Sequence, residues 1–246
     1  MGGLLCLGLF AAIEIRSAAP LLPLPLLRRP SLVVADTVMM LTSASIAPQV
    51  FVMTLYLQEM EHYSAAQTGL IFLTQGAAAV MGAATGSRGV SRFGLRPMLI
   101  GGRALAAIAL GLMALLVGRD SALPALLLAL ALVGLGNVLT FVSASIGATS
   151  EVEPGNVGLA SGMLYTAQQV GAALGLAALV ALATTRTSVL EASGVDPSAA
   201  LIEGFRWALA GGALVSGLAA FIGSRLPASA RAPLRAPSKA ATEAAR

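Results

Sequence analysis

A single cysteine, Cys6, and a single histidine, His62, occur in 246 residues. One thiol builds no disulfide framework, and one imidazole rules out a metal site made of clustered histidines. Charged residues make up 11% of the chain and aromatics 4%, and fourteen of the fifteen basic residues are arginine. The formal charge of +4 comes from residues scattered among hydrophobic stretches, with no basic stripe and few rings to stack on bases. Nucleic acid is therefore not an expected partner. No P-loop occurs, so an ATP-driven pump would need a separate motor subunit. No nucleophile, base and orienter stand together and no metal-ligand cluster is visible, so neither an enzyme nor a cofactor is expected.

What the chain has in abundance is apolar sequence. It is 57% apolar with a mean hydropathy of +0.86, against roughly 45–50% apolar usage in soluble domains. Six apolar segments, residues 31–57, 67–87, 97–117, 122–146, 157–183 and 204–226, lie near the roughly 20 residues of a helical crossing. They are continuously apolar rather than alternating, which excludes a barrel, and only helices or barrels satisfy the backbone in lipid. The expected fold is an all-α integral membrane protein with a six-helix bundle over 31–226. Residues 1–15 are too short to span, lack the charged start and cleavage site of a signal peptide, and read as the truncated end of a further transmembrane helix. Residues 16–30 form a link in which Pro20, Pro23 and Pro25 preclude a continuous helix.

Basic residues vote on orientation. Twelve of the fifteen fall on one side if alternate connections face opposite ways: Arg16, Arg28 and Arg29, then Arg88, Arg92, Arg96 and nearby Arg103, then Arg225, Arg231, Arg235, Lys239 and Arg246. That side is assigned to the cytoplasm. The tail, residues 227–246, becomes a disordered cytoplasmic extension with a weak attraction to anionic membrane lipids.

The fifth span carries the run GNVGLASGMLYTAQQVGAALGLAAL. Helices in lipid associate through small residues that let backbones approach. Ala167, Gly171 and Gly175 recur every fourth residue with Gln168 on their side, whereas Gly158, Gly162, Tyr165 and Gln169 share the opposite one. All five small residues are candidates for helix packing. Tyr165, Gln168 and Gln169 are candidates for a substrate pathway, because a mid-span amide belongs in protein or a wet path rather than in lipid. Asn137 either bridges helices or hydrogen-bonds a solute, and Gln49, after Pro48, lies where freed carbonyls can face a cavity. Asp36 is the one acidic residue clearly within a span. It is either a proton carrier or an interfacial carboxylate that pairs with Arg28 and Arg29 or caps its helix. Arg206 and Trp207 read as anchors in the interfacial belt.

Three stretches, LYLQEMEHYSAAQTGLIFLTQG, SRFGLRPMLIGG and EPGNVGLASGMLYTAQQVGAALGLAAL, resemble the C-terminal half of the fourteen-helix drug:proton antiporters, the EmrB/QacA branch of the major facilitator superfamily. The resemblance extends from about Glu14 to Leu226. It implies small amphipathic substrates exported in exchange for protons, by two half-bundles that rock about a midplane site. The turn SRGVSRFGLRP resembles a second copy of the superfamily's cytoplasmic loop signature through Arg92, Gly94 and Arg96, with Ser91 where aspartate is usual. On this resemblance Gln168 stands where many members of the family carry arginine, so no charge-based role is implied for it. The resemblance further implies that the family's proton-handling acidic residue belongs to an N-terminal half, so a partner half is expected. An exporter of an endogenous metabolite and a non-transporting remnant are the competing readings.

Overall fold

The computed structural model describes residues 8–9, 29–118, 123–150 and 152–226. Most of the expected truncated helix at 1–15, nearly all of the link at 16–30 and the tail at 227–246 lie outside the described residues. Among the described residues, six helices are long and apolar enough to cross a bilayer. They are α1 (Pro30–Leu55), α2 (Ala65–Phe93), α3 (Leu95–Leu116), α4 (Leu123–Thr149), α5 (Val157–Ala192) and α6 (Pro197–Gly223). The chain is thus a multi-pass helical membrane protein with the architecture of a half-bundle.

Local sequence explains where the helices start and stop. Pro30 and Pro197 open α1 and α6 at positions where no backbone donor is lost. Ser64 and Gln67 form a reciprocal capping box at the start of α2, through bonds of 3.3 and 2.8 Å. Asp196 caps α6, accepting from Ser198 N–H at 3.0 Å and Ala199 N–H at 3.3 Å. These bonds, with one from the Ser198 hydroxyl, hold its carboxyl below the usual carboxylate range. The last turn after α1, Tyr56–Met60, is π-helical.

Several helices outrun their apolar segments. Helix α2 continues through Arg88 and Arg92 to Phe93, α5 passes Arg186 to Ala192, and α6 begins at Pro197 rather than at 204. Hydropathy falls at the first charges, but the backbone stays helical because long basic side chains can reach past the apolar zone. The expected arginine-rich turn between α2 and α3 shrinks to one residue, Gly94, whose φ of +92° suits a residue without a Cβ.

Helices α1 and α4 are central. Helix α1 packs on α5 and α6, α4 packs on α2 and α3, and α3 packs on α6. Two apolar clusters result. One, near the Arg88–Arg96 end, joins Leu32, Met39, Leu99, Ala144 and Leu164. The other joins Met53, Tyr56, Met113, Leu130 and Leu209 at the far end. Between them lies a layer of buried polar side chains, Thr42, Ser45, Gln49, Arg103, Thr140, Ser143 and Ser216.

Candidate functional site

Arg103 occupies the middle of that polar layer and is 0% exposed. Its position corrects the orientation count, which placed it beside the α2–α3 turn. It stands eight residues beyond Leu95, about 12 Å along the helix axis at 1.5 Å per residue, too deep to serve as an end charge. Its Nη1 donates to Asn137 Oδ1 at 2.8 Å. Its Nη2 donates to Ser45 Oγ at 3.0 Å and to Ser216 Oγ, and Ser216 also donates to Ser45 at 3.1 Å. One guanidinium thereby joins α1, α3, α4 and α6. Hydrogen bonds to a charged donor contribute about 1.5–3 kcal/mol each, and a buried cation without them would be far costlier. Its Nε is buried without a partner. The α3–α4 crossing that permits this reach is close, because a Cβ on Gly136 would sit 2.4 Å from Gly102 O.

A second polar locus lies on the seam between α1 and α5. A Cβ on Gly171 would come within 1.9 Å of Met40 O, and one on Gly175 within 2.2 Å of Ala44 O, so only glycine allows this approach. Residue numbers rise together across the contact, which makes the two helices parallel and sets their register. One turn before Met40 and Gly171, Asp36 therefore lies level with Ala167 and next to the level of Gln168. Among the described residues, Asp36 Oδ1 is a buried acceptor without a partner, and Gln168 Nε2 is a buried donor without one. An orphan donor and an orphan acceptor thus share one level of one helix pair. Asp36 does not cap α1, whose N-cap is Arg29, and it forms no ion pair with Arg29. Arg28 lies outside the described residues.

The other predicted residues fall in different settings. Gln49 is 1% exposed and faces the amide of Gln75 on α2 through two long contacts of 3.4 and 3.5 Å, so it joins helices. Tyr165 and Gln169 lie on the exposed face of α5. The Tyr165 ring stands 6.4 Å from that of Phe141, and both line a cavity of about 340 Å³ between α4 and α5 with Ser145, Thr149 and Ser161. Gly158 and Gly162, candidates for packing, meet no other helix among the described residues: a Cβ on either has nothing within 4 Å. They sit on the face turned away from α1, and Ala167 on the seam side is half-buried.

The loop signature is distributed over two helix ends. Arg92 is exposed in α2 with its guanidinium 5.3 Å from the Phe93 ring centroid, and Arg96 is exposed in the first turn of α3. Ser91 donates to Arg88 O at 2.9 Å and so turns back onto its own helix. At the far end, Arg206 is more than an interfacial anchor. Its Nη2 and Nε donate to Val117 O at 2.9 and 3.1 Å and cap α3. Trp207 donates to Glu203 at 3.2 Å and lies under the guanidinium of Arg186.

Sequence reasoning missed Arg103, Ser45, Ser216 and Gln75 as members of polar clusters. A charge inside GGRALAAIAL was the available signal for the first; lone serines and a glutamine carry none until their helices meet.

The Major Facilitator Superfamily profile matches residues 5–245. The chain is 34% identical over 192 residues to the cephamycin export protein CmcT of Amycolatopsis lactamdurans, covering 76% of this chain and 39% of that one. It is 33% identical over 208 residues to the puromycin resistance protein pur8 of Streptomyces alboniger, covering 82% and 41%. It is 31% identical over 177 residues to the tetracenomycin C resistance and export protein of Streptomyces glaucescens, covering 72% and 33%. The chain spans about two-fifths or less of the length of these curated relatives.

Proposed function

The chain belongs to the major facilitator superfamily, and from that premise we propose that it forms the C-terminal half of a proton-coupled exporter of antibiotic-like amphipathic molecules, in the fourteen-helix EmrB/QacA branch. The names of its relatives, which join export with resistance, support the cargo class. The observation that carries the reading is the division of α5: one face is locked on α1 by Gly171 and Gly175, and the other leaves Tyr165 and Gln169 uncovered. A polar amide and a phenol facing acyl chains would cost on the order of a kcal/mol or more each. A partner N-terminal half that closes a wet path over this face removes that penalty.

In this proposal α1, α4 and α5 supply one wall of a central path, and Asp36 carries the proton. With its Oδ1 unspent and Gln168 level with it, the ionised carboxylate attracts the amide donor and tightens the α1–α5 seam, whereas protonation weakens that attraction. Alternating access needs such a two-state contact. The end bearing Arg88, Arg92 and Arg96 faces the cytoplasm, as does the C-terminus.

The test is dye efflux and proton counterflow in vesicles that contain this chain with and without an N-terminal half taken from a relative such as the cephamycin exporter. Efflux and counterflow should require both halves. Efflux by this chain alone as a monomer would overturn the partner requirement, and efflux by the assembled pair without proton movement would overturn the coupling.

A further inference from the structure

Arginine offers only donors. The Asn137 carboxamide that meets Arg103 Nη1 at 2.8 Å must therefore present its oxygen inward, which turns its amino group the other way. That amino group has no partner among the described residues and is not enclosed, because Asn137 is half-buried. Asn137 lies one helical turn before Phe141 on the same face of α4, so it stands one turn beyond the residues that line the cavity flanked by Phe141 and Tyr165. Behind it stands a cation whose three bonded partners, Asn137, Ser45 and Ser216, are all neutral. Its positive potential is thus not cancelled by the groups it touches, and in a low-dielectric interior that potential extends to the neighbouring donor.

We propose that Arg103 and Asn137 form an oxygen-recognition subsite, in which Arg103 fixes the Asn137 amide and Asn137 Nδ2 donates to a carboxylate or carbonyl oxygen of a solute whose aromatic body rests on Phe141 and Tyr165. Asn137 is the contacting residue, and Arg103 is a positioning residue that also supplies charge. The cavity volume of about 340 Å³ accommodates a drug fragment of one or two rings. The subsite favours anionic over neutral oxygen, and either over a hydrocarbon. This rests on the transporter reading above.

The test uses the whole chain in lipid nanodiscs with three fluorescent probes of one aromatic core: BODIPY pentanoic acid, its methyl ester, and BODIPY with a plain alkyl chain, each titrated by anisotropy. The wild-type protein should bind the acid at least tenfold more tightly than the alkyl probe, with the ester between them. Asn137→Asp removes the donor and neutralises Arg103 while giving it an ion-pair partner, so the fold is retained; its preference for the acid should vanish, with alkyl binding within twofold. Arg103→Met should lower the acid-to-alkyl ratio towards one. A purely structural Arg103 would weaken all three probes together and leave the ratio unchanged. An acid preference that survives Asn137→Asp overturns the proposal, as does equal wild-type binding of the three probes, which leaves the transporter reading standing. Failure of every probe to bind counts against a solute path in this half and removes the subsite with it.

Discussion

Arg103 and Asp36 both lie within the spans, and their surroundings differ. Arg103 is sealed between two apolar clusters, with three acceptors delivered by three other helices. Asp36 is half-buried one turn from a glycine seam, with a buried oxygen that no described residue satisfies. A charge meant to hold still is surrounded by partners from elements it must join. A charge left with unspent hydrogen-bonding capacity at a tight but local contact is one whose state can change with that contact. The contrast is one of hydrogen-bond satisfaction rather than of burial, since polar groups in lipid are expensive in both places.

Substitutions can break this comparison from either side. The largest expected effect is at the seam itself: Gly171→Val forces a side chain into Met40 O and should destabilise the bundle by roughly 3 kcal/mol or more. Gly158→Val, on the open face of the same helix, should change stability by no more than about 0.5 kcal/mol. Thermal or denaturant unfolding in detergent measures both, and equal effects would show that the α1–α5 contact is not tight. Next comes Asn137→Leu, which takes the best acceptor from a buried guanidinium and should cost about 1.5–3 kcal/mol. A cost near zero would mean that Arg103 is reached by water rather than held by its neighbours.

Asp36→Asn should behave differently. With no hydrogen bond to lose at Oδ1, it should shift stability by less than about 0.5 kcal/mol. In the assembled two-half exporter, however, it should abolish the dependence of efflux on an imposed pH gradient. Retention of that dependence would return Asp36 to the role of a bystander. The smallest effect concerns a charge outside the spans. Asp196 is held below its ordinary value by the Ser198 hydroxyl and the Ala199 and Ser198 amides, so it contributes stability that is fully present above the unfolded value of about 3.9 and lost as pH falls through the lower folded value. Asp196→Asn should flatten stability measured below about pH 4 and leave neutral-pH stability nearly unchanged, since asparagine also caps helices. An unchanged acid limb would show that this cap contributes nothing.

Much of this was legible in the residues. Six continuous apolar runs indicate six helices because lipid offers backbone groups no partner, so hydropathy reports on the solvent directly. The four-residue spacing of Gly171 and Gly175 was readable as a packing stripe for the same reason. The identical spacing of Gly158 and Gly162 carried the same signal without the contact. Spacing shows that a face is smooth; it cannot show whether a neighbour arrives. Arg103 was misread because its distance from a turn was counted along the chain. Its acceptors Ser45 and Ser216 are 58 and 113 residues away, and no local pattern links them.

By itself, then, the sequence determined the solvent, the number and the approximate limits of the spans, and the small-residue faces, all properties of single helices in contact with lipid. Only the tertiary structure decided which polar groups are satisfied, that Arg103 is held in mid-bundle rather than at an end, and that Asp36 and Gln168 lie at one level with a bond each to spare. Hydrogen-bond satisfaction is a property of pairs of atoms from different helices, and it exists only once those helices have taken their register.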